Sequence, residues 1–98
     1  MIKLSGILRC KTQEESDLVQ RLLAEHTRLT HQESGCIAFE VTLTADPLVW
    51  QVEELFSSKQ TFAAHQTRTQ NAVWGIKTRA ITREYEISEV DPEVDPAA

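Results

Sequence analysis

No stretch of this chain stays apolar over the roughly 20 residues that a helix needs to cross a bilayer, so the sequence predicts no membrane-spanning helix. The first residues, "MIKLSGILRCK", alternate polar and apolar side chains and lack the long apolar centre and small-residue cleavage site of a secretory leader. A cytoplasmic protein is expected. Basic residues are outnumbered, 10 Lys and Arg against 15 Asp and Glu, and the resulting net charge of −5 argues against nucleic acid or an anionic membrane as the main partner. There are only two cysteines, Cys10 and Cys36, which form no CxxC pair, and no other spacing supplies a zinc site. His26 and His31 are five residues apart, about 140° around a helix at ~100° per residue, so they cannot share a metal-binding face. No metal is predicted.

What is present suits one domain with a single modest core: 98 residues, 41% hydrophobic and 26% charged. Residues 2–10 alternate, with Ile2, Leu4, Gly6, Leu8 and Cys10 on one side, and read as a strand. Gly6 in its middle marks a bulge or a close approach to the backbone. "TQEE" then offers a capping box, Thr12 with Glu15, opening a helix that repeats Leu18, Val19, Leu22, Leu23, His26 and Leu29 at three- and four-residue spacing. That helix is expected to stop or kink near Thr30, where "THQE" repeats the capping pattern, and Gly35 closes the segment. "CIAFEVTLT" and "LVWQVEELF" are second and third strands joined by a turn at "ADP". Ser57 with Gln60 is a further capping pair, opening a helix that carries Phe62 and His65. "NAVWGIKTR" is a short additional helix, and "AITREYEIS" a fourth strand.

The order strand, helix, strand, strand, helix, strand predicts an α+β fold of the ferredoxin-like, split βαβ kind (βαββαβ), with a four-stranded antiparallel sheet in the order 4-1-3-2. The domain is expected over residues 2–88, followed by an acidic, proline-containing C-terminal stretch at 89–98 that is loosely ordered or lies on a partner surface. In this sheet order two strand spacings of ~4.8 Å hold Cys10 and Cys36 beyond disulfide reach. Two helices cover only one face of such a sheet. The other face carries Ile7, Ala38, Val49 and Leu55, and an apolar face without a helix needs another cover, most simply a second copy of the chain. A homodimer is predicted.

Alternation on the third strand puts Trp50, Val52, Glu54 and Phe56 on one face, so Glu54 is a carboxylate in an apolar row. An ion pair with Arg83 or Arg9, or a contact with water at the strand edge, would explain it without any chemistry. His65 follows on the apolar face of the next helix, where the plain alternative is a core histidine bonded to a backbone carbonyl. Acid and histidine together, both facing the space between helices and sheet, point instead to a small aromatic ligand and to proton transfer near neutral pH. Trp74 and Tyr85 would add flat apolar wall and a phenolic donor, against the plainer role of packing.

The text "HQESGCIAFEV", then "WQVEELFSSKQTFAAHQTRT" and a closing "ITREYEI", resembles the antibiotic biosynthesis monooxygenase domain family over roughly residues 2–88. The residues that carry the likeness are Glu33, Gly35, Cys36 and Phe39, then Glu54 and Phe56, then Thr61, Phe62 and His65. The resemblance implies a dimeric α+β barrel with a cavity in each subunit between sheet and helices. It also implies an activity among several: oxygenation of phenols or quinols without metal, flavin or haem, isomerisation of small phosphorylated, sugar-like signals, haem degradation, or none assigned. The haem-degrading branch is disfavoured. It carries an Asn on the first strand, a Trp at the position of His65 and a later histidine, whereas this chain has Ser5 and Gly6, His65, and no histidine beyond.

The leading expectation is therefore a cofactor-independent monooxygenase of a small phenolic or quinol substrate, with His65 and Glu54 moving protons. Trp50, Phe56, Phe62, Trp74, Arg83 and Tyr85 would bind the substrate. The alternatives are an oxygen-independent isomerase of a small keto or hydroxy compound using the same pair, and a small-molecule-binding dimer without turnover, since a fold family does not fix a function.

Overall fold

The computed structural model describes residues 1–91. Strand β1 (Ile2–Arg9) leads to helix α1 (Gln13–His31), strands β2 (Cys36–Leu43) and β3 (Val49–Phe56), helices α2 (Lys59–Asn71) and α3 (Val73–Lys77), and strand β4 (Thr82–Glu89). The sheet runs β2-β3-β1-β4 with every neighbouring pair antiparallel, the order expected from the sequence. Beyond β4, the Val90 amide donates to the carbonyl of Met1, and the rest of the C-terminal stretch, 92–98, lies outside the described residues. Among the described residues no helix is long and apolar enough to cross a membrane.

Each element starts where its local chemistry allows. Thr12 caps α1 by accepting from the Glu15 amide, while the Glu15 carboxylate reaches back to the Lys11 amide. At α2 the box is shifted by one residue from expectation: Ser58 is the cap and Thr61 its partner, so Ser57 and Gln60 do not form it. The "THQE" pattern starts no helix. Thr30 is inside α1 and wholly buried, its hydroxyl donating to the His26 carbonyl. Gly35, the only positive-φ residue among those described (φ 85°), turns the chain into β2. A side chain there would also run into the Thr61 side chain, so the turn can lie flat on the start of α2 only as glycine. Gly6 marks a close approach and not a bulge. Its pairing on both sides is regular, and a Cβ would meet the backbone and ring of Tyr85 at 2.8–2.9 Å.

The core lies between the sheet and α1, built on Leu4, Leu8, Val19, Phe39, Val41, Trp50, Val52 and Trp74. Burying each of the larger side chains contributes about 1.5–3 kcal/mol, so truncating Leu8 or Phe56, both fully buried, would be among the costliest changes. β2 carries a bulge between Cys36 and Ala38, and for this reason Ile37 leaves the apolar row and is 53% exposed. Register puts Cys36 opposite Phe56 and Arg9 opposite Val49, so the two cysteines sit at opposite ends of the sheet as well as two strands apart; both are free.

The open face of the sheet is less apolar than its strand patterns suggested. Ala38, Leu55 and Lys3 form one cross-strand row and Ile7 belongs to another. Between them, register aligns Glu40, Glu53, Ser5 and Glu86. Ser5 donates to Glu53 at 2.7 Å, and Gln51 donates to the same oxygen at 2.8 Å.

Candidate functional site

His65 is the only fully buried residue of α2, and it is flanked by two carboxylates. Its Nδ1 is 2.9 Å from Glu33 Oε1, and its Nε2 is 3.5 Å from Glu54 Oε1. An ionised carboxylate can only accept, so Nδ1 carries the proton toward Glu33 and the neutral ring presents Nε2 as its basic atom. Glu33 is fixed in turn by Arg68, whose Nε and Nη2 donate to Oε1 at 3.0 and 2.6 Å, and Nη2 also reaches the Thr30 hydroxyl at 3.1 Å. The Gly35 turn makes this possible: it brings the loop after α1 against α2 and sets Glu33 beside a residue 32 positions later.

Burial pushes the His65 pKa down from its ordinary value, while the hydrogen bond to Glu33 opposes that shift. Glu54 moves the other way. Burial and the nearby charge of Glu33 raise it to about 7, and its Oε1 has no hydrogen-bond partner. Two proton carriers thus face each other with their affinities displaced in opposite directions, each by burial that favours its neutral form, an arrangement suited to general acid–base chemistry. Neither arginine named as a structural partner for Glu54 serves it. Arg9 pairs with Glu84 at 2.6 Å, and Arg83 donates to Thr78 and Ile81.

The aromatic residues divide. Phe56 lies against His65, ring centroids 4.8 Å apart, and Phe62 meets Phe56 edge-on at 5.8 Å. Trp74 stacks on His26, 4.4 Å apart and 3° from parallel, and reaches His65 only through that ring. Trp50 is not gathered with them. It stands four residues along β3 from Glu54, and its indole N–H donates to Ser16, whose hydroxyl binds the Pro47 carbonyl. It thereby ties α1 to the β2–β3 turn.

A cleft of about 520 Å³ adjoins this cluster, lined by Gln66, Thr69, Gln70, Gly75, Arg79, Arg83 and Tyr85. Neither His65 nor Glu54 opens directly onto it; the link is Thr69, whose hydroxyl is 3.5 Å from His65 Nε2. Burial pushes the Tyr85 hydroxyl up to about 12, so it stays a neutral donor at physiological pH. Among the described residues no three His, Cys, Asp or Glu side chains are gathered as a metal site.

Sequence reasoning missed Arg68, Thr69 and His26 as neighbours of the site and saw Glu33 only as part of a motif. Arg68 and Thr69 could have been found by spacing, since they stand three and four residues after His65 on one helix face.

Comparisons with known proteins agree with this architecture. The family model for antibiotic biosynthesis monooxygenases matches residues 1–73. A Deinococcus radiodurans structure bearing that family's name superposes with a TM-score of 0.78 at 19% identity, covering 97% of each chain. One from Nitrosomonas europaea, named likewise, gives 0.72 at 17% identity, over 92% of this chain and 98% of its own. A conserved protein from Methanosarcina mazei gives 0.71 at 14% identity, over 92% of both. No curated protein matches the sequence. At such identities the superpositions speak for the fold, and the family match covers most of the chain, including Glu33, Glu54 and His65: the protein belongs to the antibiotic biosynthesis monooxygenase family.

Proposed function

We propose that the protein is a cofactor-independent monooxygenase of a small phenolic or quinol substrate, with His65 as the base and Glu54 as the acid. The observation that carries this reading is the buried Glu33–His65–Glu54 line, 2.9 Å on one side of the imidazole and 3.5 Å on the other. Substrate occupies the cleft beside Tyr85 and gives up its phenolic proton toward His65 Nε2, with the Thr69 hydroxyl as the bridge. Hydrogen bonds of this kind are often long before substrate is bound and tighten afterwards. The resulting anion is electron-rich and is itself the reductant. A new C–O bond forms to O₂, the O–O bond breaks, and the second oxygen leaves as water with the phenolic proton and the hydrogen from the attacked carbon. Phenol and O₂ thus give quinone and water with no further reductant. Glu54, with its pKa raised to about 7, relays one of these two protons by way of His65 Nε2 and supplies none net.

The same pair suits proton movement in an oxygen-independent isomerisation, because its two members differ in proton affinity and face one another. O₂ uptake against a panel of hydroquinones decides between these readings. The oxygenase reading expects uptake that His65→Ala abolishes. Turnover that persists anaerobically would favour the isomerase, and ligand-dependent thermal stabilisation without product would favour a binding protein.

We also propose that two copies pair through the open sheet face, around Ala38, half-buried Leu55 and half-buried Ile7. Light scattering at micromolar concentration should give the mass of a dimer, and a clean monomer would contradict it.

A further inference from the structure

Among the described residues the charged lining of the cleft is cationic only: Arg79 and Arg83 border it, and no Asp or Glu does. The chain as a whole carries the opposite sign, with a net charge of −5. The ion pairs among the described residues use Arg9, Arg28, Lys59, His65 and Arg68, but neither Arg79 nor Arg83. Arg83 is moreover held in place. Its Nη1 donates to the carbonyls of Thr78 and Ile81 at 2.9 and 3.1 Å, and its Nη2 donates to the Thr78 hydroxyl at 2.8 Å. Thr78 is wholly buried and anchored to the Trp74 carbonyl, so the guanidinium rests on a rigid support. Three of its five N–H donors serve these bonds and the guanidinium also reaches the Tyr85 hydroxyl, which leaves at least one N–H for a ligand. A fixed planar fork with donor capacity to spare and no ion-pair partner among the described residues is preorganised for an oxyanion, because the cost of ordering the long side chain has already been met. Tyr85, seated over Gly6, supplies a ring in the same cleft.

We propose that the cleft recognises the oxyanion head, carboxylate or phosphate, of an aromatic ligand, held by Arg83 with Arg79 at the rim. This rests on reading the cleft as the substrate site.

Calorimetric titration with 4-hydroxybenzoate, 4-hydroxyphenyl phosphate and uncharged 4-hydroxybenzamide tests it. The anionic probes should bind at least about tenfold tighter than the amide, since charge-assisted bonds outweigh neutral ones. Added salt should narrow that gap. Arg83→Gln should abolish it, Arg83→Lys should keep part of it, and Arg79→Gln should reduce it by several fold. The stronger of the two anionic probes identifies the head group. Equal binding of all three probes overturns the proposal, as does an anion preference unchanged in both Gln variants. Should Arg83→Gln fail to fold by circular dichroism, Arg79→Gln together with the salt dependence decides. Repeating the titration in His65→Ala separates this inference from the proposed reaction. Anion preference retained in a protein that consumes no O₂ with any quinol leaves the binding site standing and removes the oxygenase. O₂ consumption with neutral phenols and no anion preference does the reverse.

Discussion

Two buried histidines sit 6.1 Å apart in the layer between helices and sheet, and they are built for opposite ends. His26, on α1, is stacked on Trp74 and set edge-on to Phe39, and its Nδ1 has no partner. Burial, reinforced by the positive charge of His65 and Arg68, depresses its pKa to about 3, so it stays a neutral ring that packs like an aromatic. His65, on α2, is equally buried and shares the Phe39 neighbour, yet one carboxylate, Glu33, is hydrogen-bonded to it and a second, Glu54, stands 3.5 Å from its other nitrogen. The difference shows that burial alone silences a histidine. A fixed carboxylate is what keeps proton transfer within reach, and here Glu33, clamped by Arg68, is that group.

The comparison can be broken most sharply at His65. His65→Ala should lower turnover by about 10²–10⁴-fold, the range for losing a positioned base, as read by O₂ uptake. His26→Phe, which keeps a flat ring against Trp74, should leave turnover within a few fold and act on acid stability instead. A histidine whose folded pKa lies below its unfolded one contributes stability above about pH 6.5 and loses it as pH falls toward 3. The variant should therefore resist acid unfolding, by an amount on the order of 3–5 kcal/mol near pH 3. A wild-type acid transition would show that His26 is not the silent member of the pair.

Glu54 has the opposite sign. A carboxyl whose folded pKa is raised to about 7 from the usual value near 4.5 binds its proton more tightly when folded, so stability falls as pH rises between those values and stays low above them. Glu54→Gln should stabilise the protein at pH 8 by roughly 2–3 kcal/mol and have little effect at pH 4, measured by urea unfolding at both. The smallest expected effect is on the orienting group. Glu33→Gln should reduce turnover by about 10–100-fold, the range for losing a partner that aligns a functional imidazole. Binding of the cleft probes should not change. Loss of probe binding would make Glu33 a scaffold residue and not an orienting one.

Much of this was legible in the sequence. Strict alternation placed Glu54 and Phe56 on the helix side of β3, and helical spacing put His65 opposite them. The sheet order followed from the order of elements. Local patterns failed where a one-residue choice depends on packing, as at Ser58 in place of Ser57, or where a bulge breaks the period, as at Ile37. The role of Glu33 was not legible, because it arises from a contact across 32 residues that only the Gly35 turn creates. Nor could spacing separate His26 from the leucines of the same helical stripe. Its character is set by Trp74, from a different element.

The most direct test is long-range ¹H–¹⁵N correlation on histidine-labelled protein at neutral pH. The account predicts that His65 carries its proton on Nδ1, shifted downfield by the Glu33 carboxylate, and that Glu33→Gln weakens that signature. A His65 ring protonated on Nε2 would leave no basic nitrogen facing Glu54 and Thr69, and would contradict the proposed direction of proton transfer.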